Sequence, residues 1–469
     1  MRFFIEKNMI LCYSYQYKNI LRRILMKNKF SSIRVIAFGY MLFVLTGALL
    51  LALPFASQSG ESVGFLNALF TATSASCVTG LVVLDTATSW SIFGQTVIIC
   101  LIQIGGLGFM TIATVFSMAL KRRMGLRERM TMVESINNDN VGGILNLTKL
   151  IVIGTAIFEG IGALLLSTRF IPEYGFATGI RYSVFHSISA FCNAGFDLMG
   201  IHSPYSSLVR YADDVVVNFT LMALITVGGL GFFVWDDIRR NKLNFKKYSL
   251  HTKLVLVVSS VLTFGGTLLF LCFEKDFTNA GLGAGQSLLN ALFDSVTART
   301  AGFNTTDTAA LSPASKMLTV FLMFIGGSPG STAGGMKTTT LAVIAISTFN
   351  GMTRRQSKGI FGRRLEKDAI HKASSVAFTN ITLALIGIIL ICAFQPALNI
   401  SDVIFEVASA IGTVGMTTGV TRKLITASRL VIIFLMYCGR VGSVSFALAL
   451  MEPKTTPPVK SPREKITIG

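Results

Sequence analysis

Four short segments of the sequence could coordinate a cation through their backbone rather than their side chains. They read CVTG, CNAG, RTAG and GTVG, and each ends in glycine. Glycine permits backbone conformations that turn carbonyl oxygens toward a common centre, where they can replace the hydration shell of a monovalent cation. None of the four contains Asp or Glu, which disfavours a divalent-cation site. The candidate ion-binding residues are Cys77, Val78, Thr79, Gly80, Cys192, Asn193, Ala194, Gly195, Arg299, Thr300, Ala301, Gly302, Gly412, Thr413, Val414 and Gly415. We call them glycine segments 1 to 4 in chain order.

Each glycine segment lies at the end of a longer stretch, and the four stretches resemble one another. They read FTATSASCVTGL (70–81), FHSISAFCNAGF (185–196), LFDSVTARTAGF (292–303) and FEVASAIGTVGM (405–416). When they are aligned on the final glycine of each segment, three have phenylalanine ten residues earlier, and Phe293 of the third is one place out. The glycines recur every 107–115 residues. This pattern predicts four copies of one unit, each with a short helix whose negative C-terminal end faces the glycine segment.

The composition of the 469-residue chain is that of an integral membrane protein. Hydrophobic residues make up 52% and charged residues 14% of the sequence, and the mean hydropathy is +0.63. Too few polar residues are present to cover a soluble globule of this size, so lipid must cover the rest. Eight stretches are long and apolar enough to cross a bilayer as helices. They are 33–54, 91–120, 147–171, 212–237, 253–273, 315–347, 374–395 and 428–451.

The basic residues are distributed unevenly between the two sides of the membrane. Thirty-one of the 42 Lys and Arg residues fall in the N-terminal arm up to Arg34, in 121–149, 239–253 and 354–372, and after Glu452. The positive-inside rule therefore places these segments and both termini in the cytoplasm. The net charge of +19 is thus largely a topology signal. It predicts contact with anionic lipid and gives no reason to expect nucleic acid as a partner.

These patterns predict an all-α membrane protein of four helix, pore-loop, helix repeats. Because each unit has two spans, all four have the same orientation, which suggests pseudo-fourfold symmetry around a single ion pore. The predicted divisions are a basic cytoplasmic arm (1–34), repeat 1 (35–130), repeat 2 (131–245), repeat 3 (246–365), and repeat 4 with a cytoplasmic tail (366–469).

The sixth stretch contains a segment that is unsuited to a continuous helix, because glycine and proline disfavour helix interiors. We call it the 326–335 loop, and it consists of Gly326, Gly327, Ser328, Pro329, Gly330, Ser331, Thr332, Ala333, Gly334 and Gly335. The sequence predicts an unwound, mobile segment beside the glycine segments, and a kinked helix is the alternative. Arg440 lies at membrane depth, where a charge needs partners inside the protein. We expect it to donate to carbonyls of the loop as part of a gate, and a salt bridge with Glu159 is the alternative.

The remaining charges near the glycine segments are interpreted as structural. Arg299 is expected to point away from the pore and to pair with Asp294 or Glu406, whereas Lys337 is expected to reach water. The acids that follow three of the segments are interpreted as solvated loop residues that could also form a negative vestibule. They are Asp85, Asp197 and Asp307. The glycine clusters at 104–109 and 227–232 are interpreted as packing sites rather than ion sites.

Other classes of function find little support in the sequence. The cysteines and the four histidines form no metal-ligand pattern, and no nucleotide-binding motif is present. No cofactor is therefore expected in this chain, and control by ATP, ADP or NAD would require a partner subunit. A transporter that rocks around a bound solute would need acids at the midplane, where the spans offer little beyond Glu159. An intramembrane hydrolase would need paired catalytic groups, and His186 beside Ser187 has no orienting acid nearby in sequence. A receptor or scaffold gives no reason for four matching loops.

The glycine segments, the stretch IGGSPGSTAGGMKTTT (325–340) and YCGRVGS (437–443) together resemble the Trk/Ktr/HKT superfamily of potassium transporters. The resemblance covers residues 30 to 469 and is greatest to the membrane subunit of bacterial Ktr systems. It implies potassium uptake across the bacterial plasma membrane through a pore whose filter glycines are Gly80, Gly195, Gly302 and Gly415, with 326–335 as the gating loop and no enzymatic activity. It also implies a homodimer on a cytoplasmic octameric nucleotide-binding ring of the KtrA type, with uptake stimulated by sodium. CNAG and RTAG depart from the channel signature TVG, which implies weaker selectivity. A secondary transporter of sodium or of a small solute is the alternative.

Overall fold

The computed structural model describes residues 32–108, 111, 144–242, 244–353, 360–363 and 367–442. Within these ranges every regular element is helical. Residues 1–31, most of the basic segment 121–149 and the tail after Glu452 lie outside the described residues, as does part of 354–372. The described helices, in chain order, are α1 (Ser32–Leu51), α2 (Phe65–Cys77), α3 (Thr86–Ser89), α4 (Ile92–Leu107), α5 (Ile144–Tyr174), α6 (Phe176–Phe191), α7 (Val215–Leu230), α8 (Phe232–Asn241), α9 (Leu250–Phe273), α10 (Ala284–Thr297), α11 (Pro313–Phe324), α12 (Thr338–Met352), α13 (Lys367–Phe394), α14 (Ile400–Gly412) and α15 (Thr426–Val441).

Several helices have the length and composition of membrane spans. Leu145–Tyr174, Leu250–Phe273 and Asp368–Phe394 each qualify alone, and α7 with α8 makes a fourth candidate that bends by 91°. Apolar side chains on these helices face outward, with Leu164 70%, Phe264 69% and Phe378 73% exposed. Such side chains would be unfavourable in water, so lipid is their natural surrounding. Helices lie within all eight predicted stretches, although α1, α4 and α11 are shorter apolar helices.

Four short helices, α2, α6, α10 and α14, occupy the positions predicted for the re-entrant segments. Each ends at or just before its glycine segment, and its C-terminal half is buried among the longer helices. Some hydroxyl side chains on these helices are satisfied locally, whereas those of Thr71 and Ser76 on α2 find no partner among the described residues. Thr73 donates to the carbonyl of Leu69 (2.7 Å), and Ser183 donates to that of Gly179 (2.7 Å). Such local bonds offset part of the cost of burying helices that are rich in Ser and Thr.

The acid Asp85 is a structural anchor rather than the solvated loop residue that the sequence suggested. Its side chain is 5% exposed and accepts hydrogen bonds from the backbone of Ala87 (3.0 Å) and Thr88 (2.9 Å) at the start of α3. It also accepts from the backbone of Tyr205 (2.8 Å), which belongs to the loop after α6. One carboxylate thus joins two loops. Asp307, in contrast, is exposed, and within the described part of the chain its side chain accepts from the backbone of Ala309 alone (2.9 Å).

We expect Asp85→Ala to destabilise the fold substantially. The substitution leaves the backbone N–H groups of Ala87, Thr88 and Tyr205 without their acceptor, and hydrogen bonds to charged groups contribute about 1.5–3 kcal/mol each. Thermal unfolding in detergent should therefore show a midpoint several degrees below that of the wild type. Asp307→Ala is the matched control, because it removes an exposed cap with one backbone partner. Equal midpoints for the two variants would contradict the anchoring role of Asp85.

Candidate ion-conduction site

The four glycine segments adopt a shared backbone conformation. In each, the second residue has a positive φ although it is not glycine, and the closing glycine also has a positive φ. Non-glycine residues rarely adopt this conformation, so its occurrence at the same position in all four segments indicates a common structural requirement. The second residues are Val78 (56°), Asn193 (59°), Thr300 (76°) and Thr413 (51°), and the glycines are Gly80 (93°), Gly195 (69°), Gly302 (82°) and Gly415 (96°).

The closing glycines form a closed ring of contacts. A Cβ added to any one of them would collide with the carbonyl oxygen of the residue that precedes the next glycine in the ring. These pairs are Gly80 with Ala194, Gly195 with Ala301, Gly302 with Val414, and Gly415 with Thr79. The order returns to its starting point, so the four segments enclose a small central space. Glycine is required at these positions both by the positive φ and by the proximity of the neighbouring backbone.

Hydroxyl residues on the short helices hold the segments in place. The Ser74 hydroxyl accepts from the backbone of Gly80 (3.1 Å), and the Ser409 hydroxyl accepts from that of Gly415 (3.0 Å). In the third unit the backbone N–H of Gly302 donates instead to the backbone carbonyl of Thr297 (3.4 Å), which is five rather than six residues before its glycine. The third unit therefore has one residue fewer between this position and its glycine, which explains why Phe293 is one place out of register. The sequence analysis did not identify these hydroxyls, although serine six residues before the glycine in segments 1, 2 and 4 was a usable signal.

The 326–335 loop is unwound, as predicted, because α11 ends at Phe324 and α12 begins at Thr338. The kinked-helix alternative is therefore wrong. Backbone hydrogen bonds fasten the loop to the glycine-rich end of α7, from Ser328 to the Gly229 carbonyl (3.0 Å) and from Thr332 to the Gly228 carbonyl (3.3 Å).

The loop also lies directly against two glycine segments. The Asn193 side-chain amide donates to the Thr332 hydroxyl (2.8 Å), which itself donates to the carbonyl of Phe191 (3.0 Å). A Cβ added to Gly334 would collide with the Thr413 hydroxyl. The loop therefore contacts glycine segments 2 and 4 at their second residues.

Arg440 makes the predicted contact with the loop. Its guanidinium donates to the carbonyl of Thr332 and to the carbonyls of Gly105 and Gly106 at the end of α4. The alternative pairing with Glu159 is wrong in the described structure, where the Glu159 carboxylate accepts instead from Gln103 (3.1 Å). Arg440 thus connects α15, the loop and α4 through carbonyl oxygens.

Two further predictions about charged residues are wrong. Arg299 donates to the Thr263 hydroxyl (2.9 Å) on α9, and within the described part of the chain neither Asp294 nor Glu406 pairs with it. Those acids accept hydrogen bonds from threonines in the loops that follow their own glycine segments. Lys337 does not simply extend toward water, because its ammonium group donates to the carbonyl of Ala333 (2.7 Å) within the loop.

The glycine clusters at the ends of α4 and α7 are packing sites, as predicted, and Gly439 near the end of α15 is a third. We call α4, α7 and α15 the inner helices. A Cβ on Gly105, Gly228 or Gly439 would collide with a carbonyl near the C-terminus of α2, α6 or α14, respectively. These glycines let the inner helices approach the short helices closely, which small residues commonly allow in membrane proteins. The residues Gly108, Gly231 and Gly442 then end the inner helices with positive φ.

Comparison with known proteins identifies the family to which this chain belongs. Residues 26–455 match the family model TrkH, described as a cation transport protein. The chain belongs to the TrkH family. Its fold is similar to that of a potassium transporter TrkH from Vibrio parahaemolyticus, with a TM-score of 0.67 and 18% identity over 91% of this chain and 86% of that one. Membership in the TrkH family makes the chain a transporter rather than an enzyme.

Two curated relatives of this TrkH-family chain match over nearly their whole length. A "Potassium/sodium uptake protein NtpJ" of Enterococcus hirae is 42% identical over 94% of this chain and 98% of the relative. A "Ktr system potassium uptake protein B" of Bacillus subtilis is 39% identical over 90% of this chain and 94% of the relative.

Proposed function

We propose that the chain conducts potassium ions into the cell through a pore lined by the backbone carbonyls of the four glycine segments. The closed ring of glycine contacts is the observation that carries this proposal, because it brings carbonyls from all four units around one small space. Backbone oxygens in such a ring suit a desolvated monovalent cation. The four units 35–130, 131–245, 246–365 and 366–469 then correspond to parallel repeats with pseudo-fourfold symmetry around the pore.

Electrostatics favour inward movement of cations through this site. The short helices α2, α6, α10 and α14 direct their C-termini, the negative ends of their dipoles, toward the glycine segments. An inside-negative membrane potential contributes about 2.3 kcal/mol per 100 mV for each monovalent charge that crosses. Uptake therefore requires no chemical step in this chain.

The 326–335 loop and Arg440 together form the proposed gate. The loop lies against glycine segments 2 and 4, and Arg440 fastens it to α4. In this state the loop obstructs one end of the pore, and the positive charge of Arg440 disfavours a cation nearby. The gate opens when the loop leaves these partners.

The relatives' names also support an assembly. A relative named as protein B of a Ktr system suggests that this chain works with further subunits. We propose a homodimer in the bacterial plasma membrane, with both termini cytoplasmic and with the basic segments facing anionic lipid and an octameric regulatory ring of the KtrA type. Such a ring, rather than this chain, binds ATP, ADP or NAD, and sodium stimulates uptake.

Rubidium uptake into proteoliposomes tests the proposed transport. The purified chain is reconstituted with and without its ring subunit, and uptake of radioactive Rb⁺ is driven by an outward potassium gradient. Competition by external K⁺ but not by equal Na⁺ is expected. Preferential competition by Na⁺ would instead support the sodium-transporter alternative, and no uptake in either preparation would overturn the proposal.

A further inference from the structure

A line of three polar side chains runs from the lipid-facing helices to glycine segment 2. The Cys192 thiol donates to the side-chain oxygen of Gln103 (3.4 Å), and the Gln103 amide donates to a carboxylate oxygen of Glu159 (3.1 Å). Cys192 is the first residue of glycine segment 2, Gln103 lies on α4 and Glu159 lies on α5. The line therefore joins two units of the protein behind the candidate pore.

Such side chains are costly at this depth of the membrane. Glu159 is surrounded along α5 by apolar residues that face outward, including Ile157 and Ile161. Its second carboxylate oxygen, Oε1, is buried and has no hydrogen-bond partner among the described residues. Polar groups in this environment lower stability unless they are fully hydrogen-bonded, and ionisable residues within spans usually mark function. Packing of α4 against α5 alone would be served better by leucine.

The position of Glu159 is fixed by a second contact. The Ser187 hydroxyl on α6 donates to the backbone carbonyl of Glu159 (2.6 Å). The helix that leads into glycine segment 2 is thus fastened to the same residue that ends the polar line. The Glu159 carboxylate and the Cys192 thiol are thereby held at a defined separation, with Gln103 between them.

Cys192 has little freedom to rearrange. It is fully buried, and it packs so closely against α4 that a Cβ added to Gly106 would lie 2.6 Å from its sulfur. The next residue is Asn193, which has a positive φ that few non-glycine residues adopt, although asparagine does so more readily than most. A hydrogen bond that fixes the Cys192 side chain therefore also limits how the backbone of glycine segment 2 can relax.

We propose that Glu159 and Gln103 are positioning residues that set ion discrimination by holding glycine segment 2 through the Cys192 thiol. This inference rests on the proposed function of the segments as an ion pore. A small displacement of one carbonyl changes the fit to K⁺ and Na⁺ differently, so loss of the line should alter discrimination more than folding.

The test compares the K⁺/Na⁺ preference of reconstituted variants, measured from competition against Rb⁺ uptake. We expect Gln103→Leu and Glu159→Leu to lower the preference by about tenfold, which corresponds to about 1.4 kcal/mol between the two ions. Glu159→Gln should keep a value near that of the wild type, because its amide oxygen still accepts from Gln103. Gln95→Leu is the matched control on α4, since Gln95 is buried and donates to the carbonyl of Trp90 (3.0 Å) away from the segments.

A second pair of variants covers the case in which the leucine variants do not fold. Cys192→Ser keeps a donor for Gln103, whereas Cys192→Ala removes it, and both variants lose the sulfur atom that packs against α4. The serine variant should preserve the K⁺/Na⁺ preference better than the alanine variant. A wild-type preference in Gln103→Leu, or equal values for Cys192→Ser and Cys192→Ala, would overturn the inference while leaving the proposed transport intact. Absence of Rb⁺ uptake by the wild type would overturn both.

Discussion

Replacing Gly302 by serine should lower the K⁺/Na⁺ preference of the reconstituted protein by at least about tenfold. Gly302 has φ +82°, and an added Cβ would collide with the Val414 carbonyl and approach the Cα of Gly415 to 3.2 Å. The left-handed conformation alone costs a non-glycine residue about 1–2 kcal/mol. The collision adds to this cost and can be relieved only by moving a carbonyl of the ring, so the ion site itself must change. Competition of K⁺ and Na⁺ against Rb⁺ uptake measures the effect.

Gly281→Ser provides a matched control for this substitution. Gly281 has φ +77°, but it lies in the loop between α9 and α10, and no atom of the described residues lies within 4 Å of an added Cβ. Serine at Gly281 has the same conformational cost of a positive φ as serine at Gly302, but no collision with a neighbouring carbonyl. The K⁺/Na⁺ preference of the Gly281→Ser protein should therefore equal that of the wild type. If Gly302→Ser is monodisperse and keeps the wild-type preference, Gly302 does not belong to the ion site.

Replacing Arg440 by alanine should raise Rb⁺ uptake in the absence of the ring subunit by about tenfold or more. The substitution removes the donor shared by the carbonyls of Thr332, Gly105 and Gly106. Hydrogen bonds to charged groups contribute about 1.5–3 kcal/mol each. Loss of about 3 kcal/mol from the closed state would change the ratio of closed to open molecules by about a hundredfold. Initial rates of Rb⁺ uptake at equal protein density measure the change.

Arg429→Ala tests whether loss of any arginine from α15 has the same consequence. Arg429 donates to the side chain of Asn67 (2.8 Å) and to the carbonyl of Leu424 (2.8 Å), away from the 326–335 loop. Its removal should leave the uptake rate unchanged. Arg440→Lys should give an intermediate rate, because a single ammonium group cannot reproduce the planar fork that reaches two sites. Slower uptake by a correctly folded Arg440→Ala protein would contradict the gating role.

The features that the sequence predicted well depend on local pattern. The glycine register, the short helices and the broken sixth stretch follow from residue types at fixed spacings, and these determine local backbone conformation almost regardless of context. The contact of Arg440 with the 326–335 loop was also predictable, because a charge at membrane depth must find oxygen atoms within the protein. Carbonyls freed by an unwound segment are a ready source of them.

The wrong predictions concern partners that only the tertiary arrangement brings together. Arg299 was expected to find an acid, but Asp294 and Glu406 are bonded to threonines in the loops after their glycine segments, and Arg299 donates to a hydroxyl on α9. Asp85 was interpreted as solvated because it follows a glycine segment, yet the distant residue Tyr205 covers it. In both cases short-range spacing gave no information about which loop or helix packs alongside.

The ring of glycine contacts has a consequence for how the width of the central opening is determined. Each carbonyl that borders the opening is confined by the glycine of an adjacent unit. A glycine segment that moves its carbonyl also displaces the glycine of the adjacent segment. Because the contacts form a closed ring, the displacement passes to all four segments. The width of the opening therefore depends on all four segments together, although their sequences differ. A change of a few tenths of an ångström in one of them is shared among all four.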